Sequence, residues 1–216
     1  GLDFAVSVMT TNDPHFPIPV GGYTLATPVW HLALGRDCAL LPSAAGAFHV
    51  LDIRQPTQLC ECAQLTGDYA LHDVTYADDF AYLIDAKNDL LLVVAVANPH
   101  APRLISEYRL NPTAEMADVA VANGFVYLAT GSAGVPIVDV REPGRPHLVG
   151  QVDTPGNAQA LAVSGNRLYV ADGEAGLRVI DVTRPSQPRA IGVLVFAAAV
   201  RAVAVAGNNA FVTTAD

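Results

Sequence analysis

One stretch, Ala158 to Gly192 (AQALAVSGNRLYVADGEAGLRVIDVTRPSQPRAIG), recurs whole or in part five times along the 216 residues. The copies can be anchored on a short apolar run that ends at Asp52 (HVLD), Ala95 (LVVA), Asp139 (PIVD) and Asp181 (RVID), with spacings of 43, 44 and 42 residues. A period of this length constrains the chain more than its composition does, because each repeat is one supersecondary unit that must bury its apolar face against the next. Four residues after each anchor stands a proline: Pro56, Pro99, Pro143 and Pro185. A second follows at Pro102, Pro146 and Pro188, with Leu59 taking that place in the first copy.

Within the last complete copy four β-rich runs are separated by breakers: Ala160 to Val163, Arg167 to Ala171, Leu177 to Val182 and Arg189 to Val195. The first two are joined by residues that accept positive φ, as Asn123-Gly124, Gly165-Asn166, Gly207-Asn208 and Asp78-Asp79 do in successive copies. The last two are joined by the P-x-x-P segment, which cannot donate to a ladder and must be a loop. Each repeat is therefore a four-stranded antiparallel meander, the signature of a β-propeller blade. The residue between larger apolar neighbours in the first strand is Ala33, Thr75, Ala120, Ala162 or Ala204, small in every copy, as the crowded axis of a propeller demands.

The ends divide a blade between them. Gly1-Leu2-Asp3-Phe4 resembles the start of a third strand at Gly176-Leu177-Arg178-Val179, with a longer loop before Pro14, and Pro14 to Pro17 with Val20-Gly21 matches Pro185 to Pro188 with Ile191-Gly192. Val203 to Asn208 and Phe211-Val212 supply a first and a second strand. The expectation is a single all-β domain over 1–216, a five-bladed β-propeller. It has a half-blade over 1–28, blades from about residues 29, 71, 116 and 158, and a half-blade over 200–216. Phe4 to Val8 would pair with the strand at Phe211 to close the ring.

The runs GLRVIDV, GVPIVDV and AFHVLDI, with the upstream LYVADG and the downstream P-x-x-P, resemble the LVIVD repeat of bacterial and archaeal surface or secreted proteins. The resemblance implies a propeller scaffold with no shared catalytic residues and an extracellular or cell-surface location. Ala95 for the acid and Leu59 for the second proline depart from the pattern.

Composition narrows the partners. Net charge is −9 and Lys87 is the only lysine, so no Lys/Arg patch is available for nucleic acid or an anionic membrane surface. The longest apolar run, Ile191 to Val200, has ten residues against roughly 20 for a membrane span, so no membrane insertion is expected. Cys38, Cys60 and Cys62 lack the spacing of a disulfide or a metal site and read as small buried hydrophobes. No cofactor is implied.

Function on such a scaffold belongs where the copies disagree. At the upper channel mouth the aligned positions hold Trp30, His72, Ala117, Gln159 and Arg201, an aromatic, an imidazole, an amide and a guanidinium suited to a small anionic or glycan ligand. Asp73 and Asp118 are acids on inner strands, which a carbohydrate-active enzyme could use. Their recurrence at one repeat position reads instead as backbone-bonding structural acids, so the chain is expected not to be an enzyme. Asp85, Asp89, Asp172, Glu174 and Asp216 read as solvated acids of the upper loops. His15, His100 and His147, beside prolines of the lower connections, read as surface residues. Val193, Leu194, Val195 and Phe196 make an apolar outermost strand where other copies place Gln64, Glu107 or Gln151, which marks an interface for a protein partner or subunit.

Overall fold

The computed structural model describes residues 4–12, 15–110 and 115–215, and Phe4 and Ala5 by their backbone alone. Gly1, Leu2, Asp3, Pro14 and Asp216 lie outside the described residues. Twenty strands form four four-stranded and two two-stranded antiparallel sheets, and among the described residues there is no helix. A leading half-blade pairs β1 (Phe4–Thr10) with β2 (Ile18–Leu25). The first blade is β3 (Ala33–Leu34), β4 (Cys38–Pro42), β5 (Ala47–Asp52) and β6 (Cys60–Thr66). The second is β7 (Leu71–Ala77), β8 (Phe80–Asp85), β9 (Leu90–Ala95) and β10 (Arg103–Arg109). The third is β11 (Asp118–Ala122), β12 (Phe125–Ala129), β13 (Val135–Asp139) and β14 (His147–Val152). The fourth is β15 (Ala160–Ser164), β16 (Arg167–Ala171), β17 (Leu177–Asp181) and β18 (Arg189–Leu194). A trailing half-blade pairs β19 (Ala199–Ala206) with β20 (Asn209–Ala215).

The turn chemistry follows the sequence. Asp78, Asp79, Asn123, Gly124, Gly165 and Gly207 all take positive φ, at 50 to 77°. The anchor acids open the lower loops: Asp52, Asp139 and Asp181 each accept the amide two residues on, at 2.9, 3.0 and 2.8 Å. This side-chain turn explains why an acid ends the third strand. Where strand four meets strand three a β-bulge recurs, at Val50/Leu51, Ile137/Val138 and Val179/Ile180. The same bulge at Val8/Met9 identifies β1 and β2 as third and fourth strands. It sets Val8 opposite Gly21 as Val179 is set opposite Gly192. The alignment of Phe4 with Val179 is therefore corrected by four residues, Thr10 takes the place of the anchor acid, and the loop before Pro14 is of ordinary length.

Neighbouring sheets pack face to face through repeated contacts. The small first-strand residues pair across to Leu40, Tyr82, Tyr127, Tyr169 and Phe211 on the second strands, so the small partner leaves room for a large one. Tyr82 and Tyr127 reach into the cores shared with the next blade, beside Val119 and Leu161 respectively. Further out, a small or donor residue on four of the five fourth strands, all but β18, lies under the carbonyl of the first proline in the next loop. A Cβ on Gly21 or Gly150 would come within 1.8 Å of the Pro56 oxygen or 2.1 Å of the Pro185 oxygen. In the intervening blades Cys62 Sγ donates to Pro99 at 3.3 Å and Ser106 Oγ to Pro143 at 2.6 Å. Cys62 is thus a half-buried donor and Cys60 is exposed; only Cys38 is the buried hydrophobe expected of all three.

Among the described residues no ring closure is found: β1 is hydrogen-bonded only to β2 and β20 only to β19, so the half-blades stand as separate sheets flanking the four blades in the sequence. The strand expected over Arg189 to Val195 ends at Leu194, which leaves Val195 and Phe196 in the connection to β19.

Candidate functional site

Two of the expected rim residues, Gln159 and Arg201, meet each other, and a third, His72, meets His31, which was not among those expected. Arg201 Nη1 donates to Gln159 Oε1 at 3.1 Å, joining the fourth blade to the trailing half-blade. His72 lies beside His31, with ring centroids 5.4 Å apart. His72 and Arg201 both sit where the first-strand register shifts, between Leu71 and Val74 and between Val200 and Ala202. A bulge re-aims the side chain it carries, and both side chains are exposed. Trp30, 70% exposed, belongs to neither pair and precedes β3. Ala117 occupies the third-blade position between the pairs, and the structure does not gather the row into one cluster.

The inner acids form an inter-blade stitch. His31 Nδ1 donates to Asp73 Oδ1 at 3.0 Å, and Asp73 Oδ2 accepts the Val119 amide of the third blade at 3.1 Å. Asp118, at the same repeat position, accepts the Val119 and Leu161 amides at 2.7 and 2.6 Å, the latter from the fourth blade. Burial, then the hydrogen bond and charge of Asp73, push the Asp118 carboxyl up to about 7. Burial opposes the charge on Asp73, but hydrogen bonds from His31 and Asp118 outweigh it and hold this acid below its ordinary value. The hydrogen bond to Asp73 raises His31 above its ordinary value. Each carboxyl group holds a backbone amide of the following blade, Asp73 beside its bond from His31, which is the backbone bonding expected of both.

The upper-loop acids are corrected in part. Asp85 and Asp172 are wholly buried, whereas Glu174 is exposed as expected. Asp85 accepts the Ala70 amide at 2.8 Å and Asp172 the Gly156 amide at 3.2 Å, each tying the incoming blade-to-blade connection to the end of its second strand. Arg178 Nε meets Asp172 Oδ2 at 2.7 Å and compensates the buried charge. The aligned residues Ser43 and Thr130 are buried as well, so a polar side chain ends every complete second strand. That regularity was visible in the sequence, and it marks a structural position.

Sequence reasoning also missed a half-buried network around the buried His49. His49, on a third strand, meets Glu61 Oε1 at 2.7 Å, and Tyr23 of the leading half-blade donates to Glu61 Oε2 at 3.1 Å. No repeat position flags it, because only the first blade holds this pair. His100 and His147 are exposed at the lower connections as expected, and so is His15.

Two clefts on the lower face, one lined by Asp181, Thr183 and Arg184 and the other by Asp52, Arg54 and Gln55, are formed by the same loop in different blades. They are features of the repeat. On the upper face a cleft of about 470 Å³ is lined by Glu174, Phe196 and Arg201, which places a candidate interface residue beside a candidate ligand residue. All six residues of β18 are exposed, among them Ile191, Val193 and Leu194; Val195 beyond the strand is exposed and Phe196 half-buried.

Comparison with known proteins agrees with this architecture. A functionally unknown protein from Desulfotomaculum acetoxidans DSM 771 superposes with a TM-score of 0.84 at 16% identity, over 97% of this chain and 69% of its own. A protein from Lactobacillus plantarum gives 0.78 at 17% identity, over 89% and 65%. The periplasmic gluconolactonase PpgL of Pseudomonas aeruginosa gives 0.72 at 16%, over 85% and 61%. At these identities the likeness shows the fold alone, which is propeller-like, and the chain spans about two thirds of the length of these proteins. No curated protein matches it. The LVIVD repeat matches residues 71–109, 115–154 and 155–194, more than half of the sequence, and the chain belongs to the LVIVD repeat family.

Proposed function

We propose that the protein is a non-catalytic binding scaffold of an exported or cell-surface protein, meeting a protein partner through its outer strand and loop faces. The scaffold comprises five blade equivalents, four whole and one divided between the ends. The observation that carries the reading is β18, exposed along its whole length and, beyond Arg189, free of charge. Soluble proteins protect such strands with charged residues or with a cover. Replacing Val193 and Leu194 by glutamate in the whole protein tests it. Reduced association and higher solubility are expected; an unchanged assembly state and solubility count against the reading.

A small anionic or glycan ligand at the upper rim is the second reading, favoured by the placement of His72 and Arg201 in bulges. Titration with sugar acids and neutral glycans, followed by NMR, should move resonances at His72, Gln159 and Arg201. Changes confined to the outer strand would sink it. A carbohydrate-active enzyme, the class to which a gluconolactonase of the same fold lends some weight, needs a carboxyl group free to react, and Asp73 and Asp118 are engaged by backbone. Turnover of any glycoside or sugar lactone that is lost in Asp118→Asn would overturn the non-catalytic reading.

A further inference from the structure

We infer that the lower loop of the fourth blade is an anion site, at which Arg167, Arg184 and Arg189 hold a doubly charged oxyanion, the phosphate or sulfate ester of a small molecule. The site lies on the face opposite the upper rim and depends on neither reading above.

Its shape comes from the repeat. A cleft of about 290 Å³ lined by Asp181, Thr183, Arg184, Gln187 and Arg189 opens in the loop between β17 and β18. The first blade forms a cleft of the same kind around Asp52, Arg54, Gln55 and Cys60, and a complete blade follows it. The cleft is therefore a property of the loop, whatever place its blade holds in the chain.

Its charge does not come from the repeat. In the first and third blades the residue two places after the anchor acid is an arginine that closes on it: Arg54 Nε donates to Asp52 Oδ1 and Arg141 Nε to Asp139 Oδ1, both at 3.0 Å. In the fourth blade that place is held by Thr183, whose amide and hydroxyl donate to Asp181 Oδ1 at 2.8 and 2.6 Å. A neutral residue satisfies the acid, and the arginine stands one place further on, as Arg184.

The strands add two more. Arg167 and Arg189 are the cross-strand partners of Asp181 on its two sides. The same row holds Cys38 and Cys60 in the first blade, Phe80 and Arg103 in the second, and Phe125 and His147 in the third. Residues directly opposite on neighbouring strands share a face, with Cβ atoms about 4.5–5.5 Å apart. The Thr183 hydroxyl and amide hold the Asp181 carboxyl below its ordinary value, and the charges of Arg189 and Arg167 add to this.

Three guanidinium groups thus gather about one carboxylate in a protein whose net charge is −9. All three residues are exposed, and none of their side chains makes a hydrogen bond or ion pair among the described residues. Three positive charges against one negative leave two uncompensated, and a dianion neutralises them. Guanidinium forks donate in parallel pairs to phosphate and sulfate oxygens, and Gln187 on the cleft wall adds an amide donor.

Calorimetric titration of the whole protein with inorganic phosphate at low ionic strength, and separately with sulfate, should give one saturable site that weakens as sodium chloride is added. Arg184→Gln and Arg189→Gln should each weaken it roughly tenfold, the loss of a charge-assisted hydrogen bond. Arg54→Gln in the first-blade cleft should leave it unchanged, because that arginine is already paired. The phosphate and sulfate esters of one sugar, titrated in parallel, separate the two sources: the ester that binds more tightly than its bare ion, with the same sensitivity to Arg184 and Arg189, names the carrier. Acetate binding as tightly as phosphate would overturn the dianion. No saturable binding, or binding that both glutamine variants leave intact, would overturn the site. So would NMR signals that move at Gln159 and Arg201 but not at Arg184 and Arg189, since the anion would then sit at the upper rim.

Discussion

The junction between the third and fourth blades and the exposed faces of the outer repeats are made of equivalent residues in opposite surroundings. Tyr127 and Leu161 share one core and are 1% and 8% exposed, whereas their counterparts Phe211 and Leu32 are 59% and 52% exposed. The residue types hardly differ; what differs is whether a neighbouring sheet is present. Burial in this protein is thus a property of the junction between repeats, and a repeat has little core of its own.

Four measurements would break or sharpen that comparison, and the largest effect belongs to the aromatic position. Tyr127→Ala should cost about 3–5 kcal/mol in urea unfolding, the range for emptying a large aromatic site in a core. Phe211→Ala should cost under about 0.5 kcal/mol, as surface substitutions do. Equal costs would mean that Phe211 is covered in solution.

The glycine pair comes next. At Gly150 a methyl group would meet the Pro185 carbonyl, and Gly150→Ala should destabilise by about 1–3 kcal/mol through overpacking. At Gly192 the nearest atoms belong to Val179, at 3.7 Å, and Gly192→Ala should be neutral by the same unfolding assay. A cost at Gly192 would show that something lies over it in solution.

The inner stitch adds a pH dependence that those exposed faces lack. Asp118 is raised in the folded state to about 7, so its contribution is present at lower pH and is lost as pH rises through 7. His31, also raised, acts in the same direction, while the lowered Asp73 contributes stability that disappears only as pH falls into the acid range. Between pH 6 and 8 the stability should fall by about 1–2 kcal/mol, and Asp118→Asn should flatten that slope. A wild-type slope of zero over this interval would refute the raised Asp118 carboxyl.

The smallest effect tests the proline carbonyls. Ser106→Ala removes a donor from Pro143 and should cost about 1 kcal/mol, and Cys62→Ala should cost less because a thiol is the weaker donor. A larger loss at Cys62 would point to packing as the dominant contribution there.

Much of the fold was legible because its determinants are local and repeated. The period, the Asn-Gly and Gly-Asn turns, the P-x-x-P loops and the small first-strand residue each appear in several copies, and each has a backbone reason visible in one repeat. Closure was not legible, since it depends on the angle accumulated over four junctions, which no single repeat encodes. The four-residue error at Phe4 arose because Gly1-Leu2 imitates Gly176-Leu177 in letters, while the bulge that sets the true register is a property of pairing. Of the candidate site, His72, Gln159 and Arg201 were found where copies disagree. The burial of Asp85 and Asp172 was missed because a loop acid and a capping acid look alike until the connection it holds is located.

The inner stitch also bears on how such a chain comes apart. Asp73 and Asp118 each bond forward, to an amide one blade further along, and never within their own sheet across to a second strand. Ala160 ends the series, so the last junction lacks what the two before it possess. Loss of structure should therefore begin at the junction between the fourth blade and β19–β20, which has no such stitch, and reach the two stitched junctions later, like fasteners that open in order. The molecule would then have a graded set of opening energies where a closed globular core has one, and its weakest junction would be the one that Arg201 crosses.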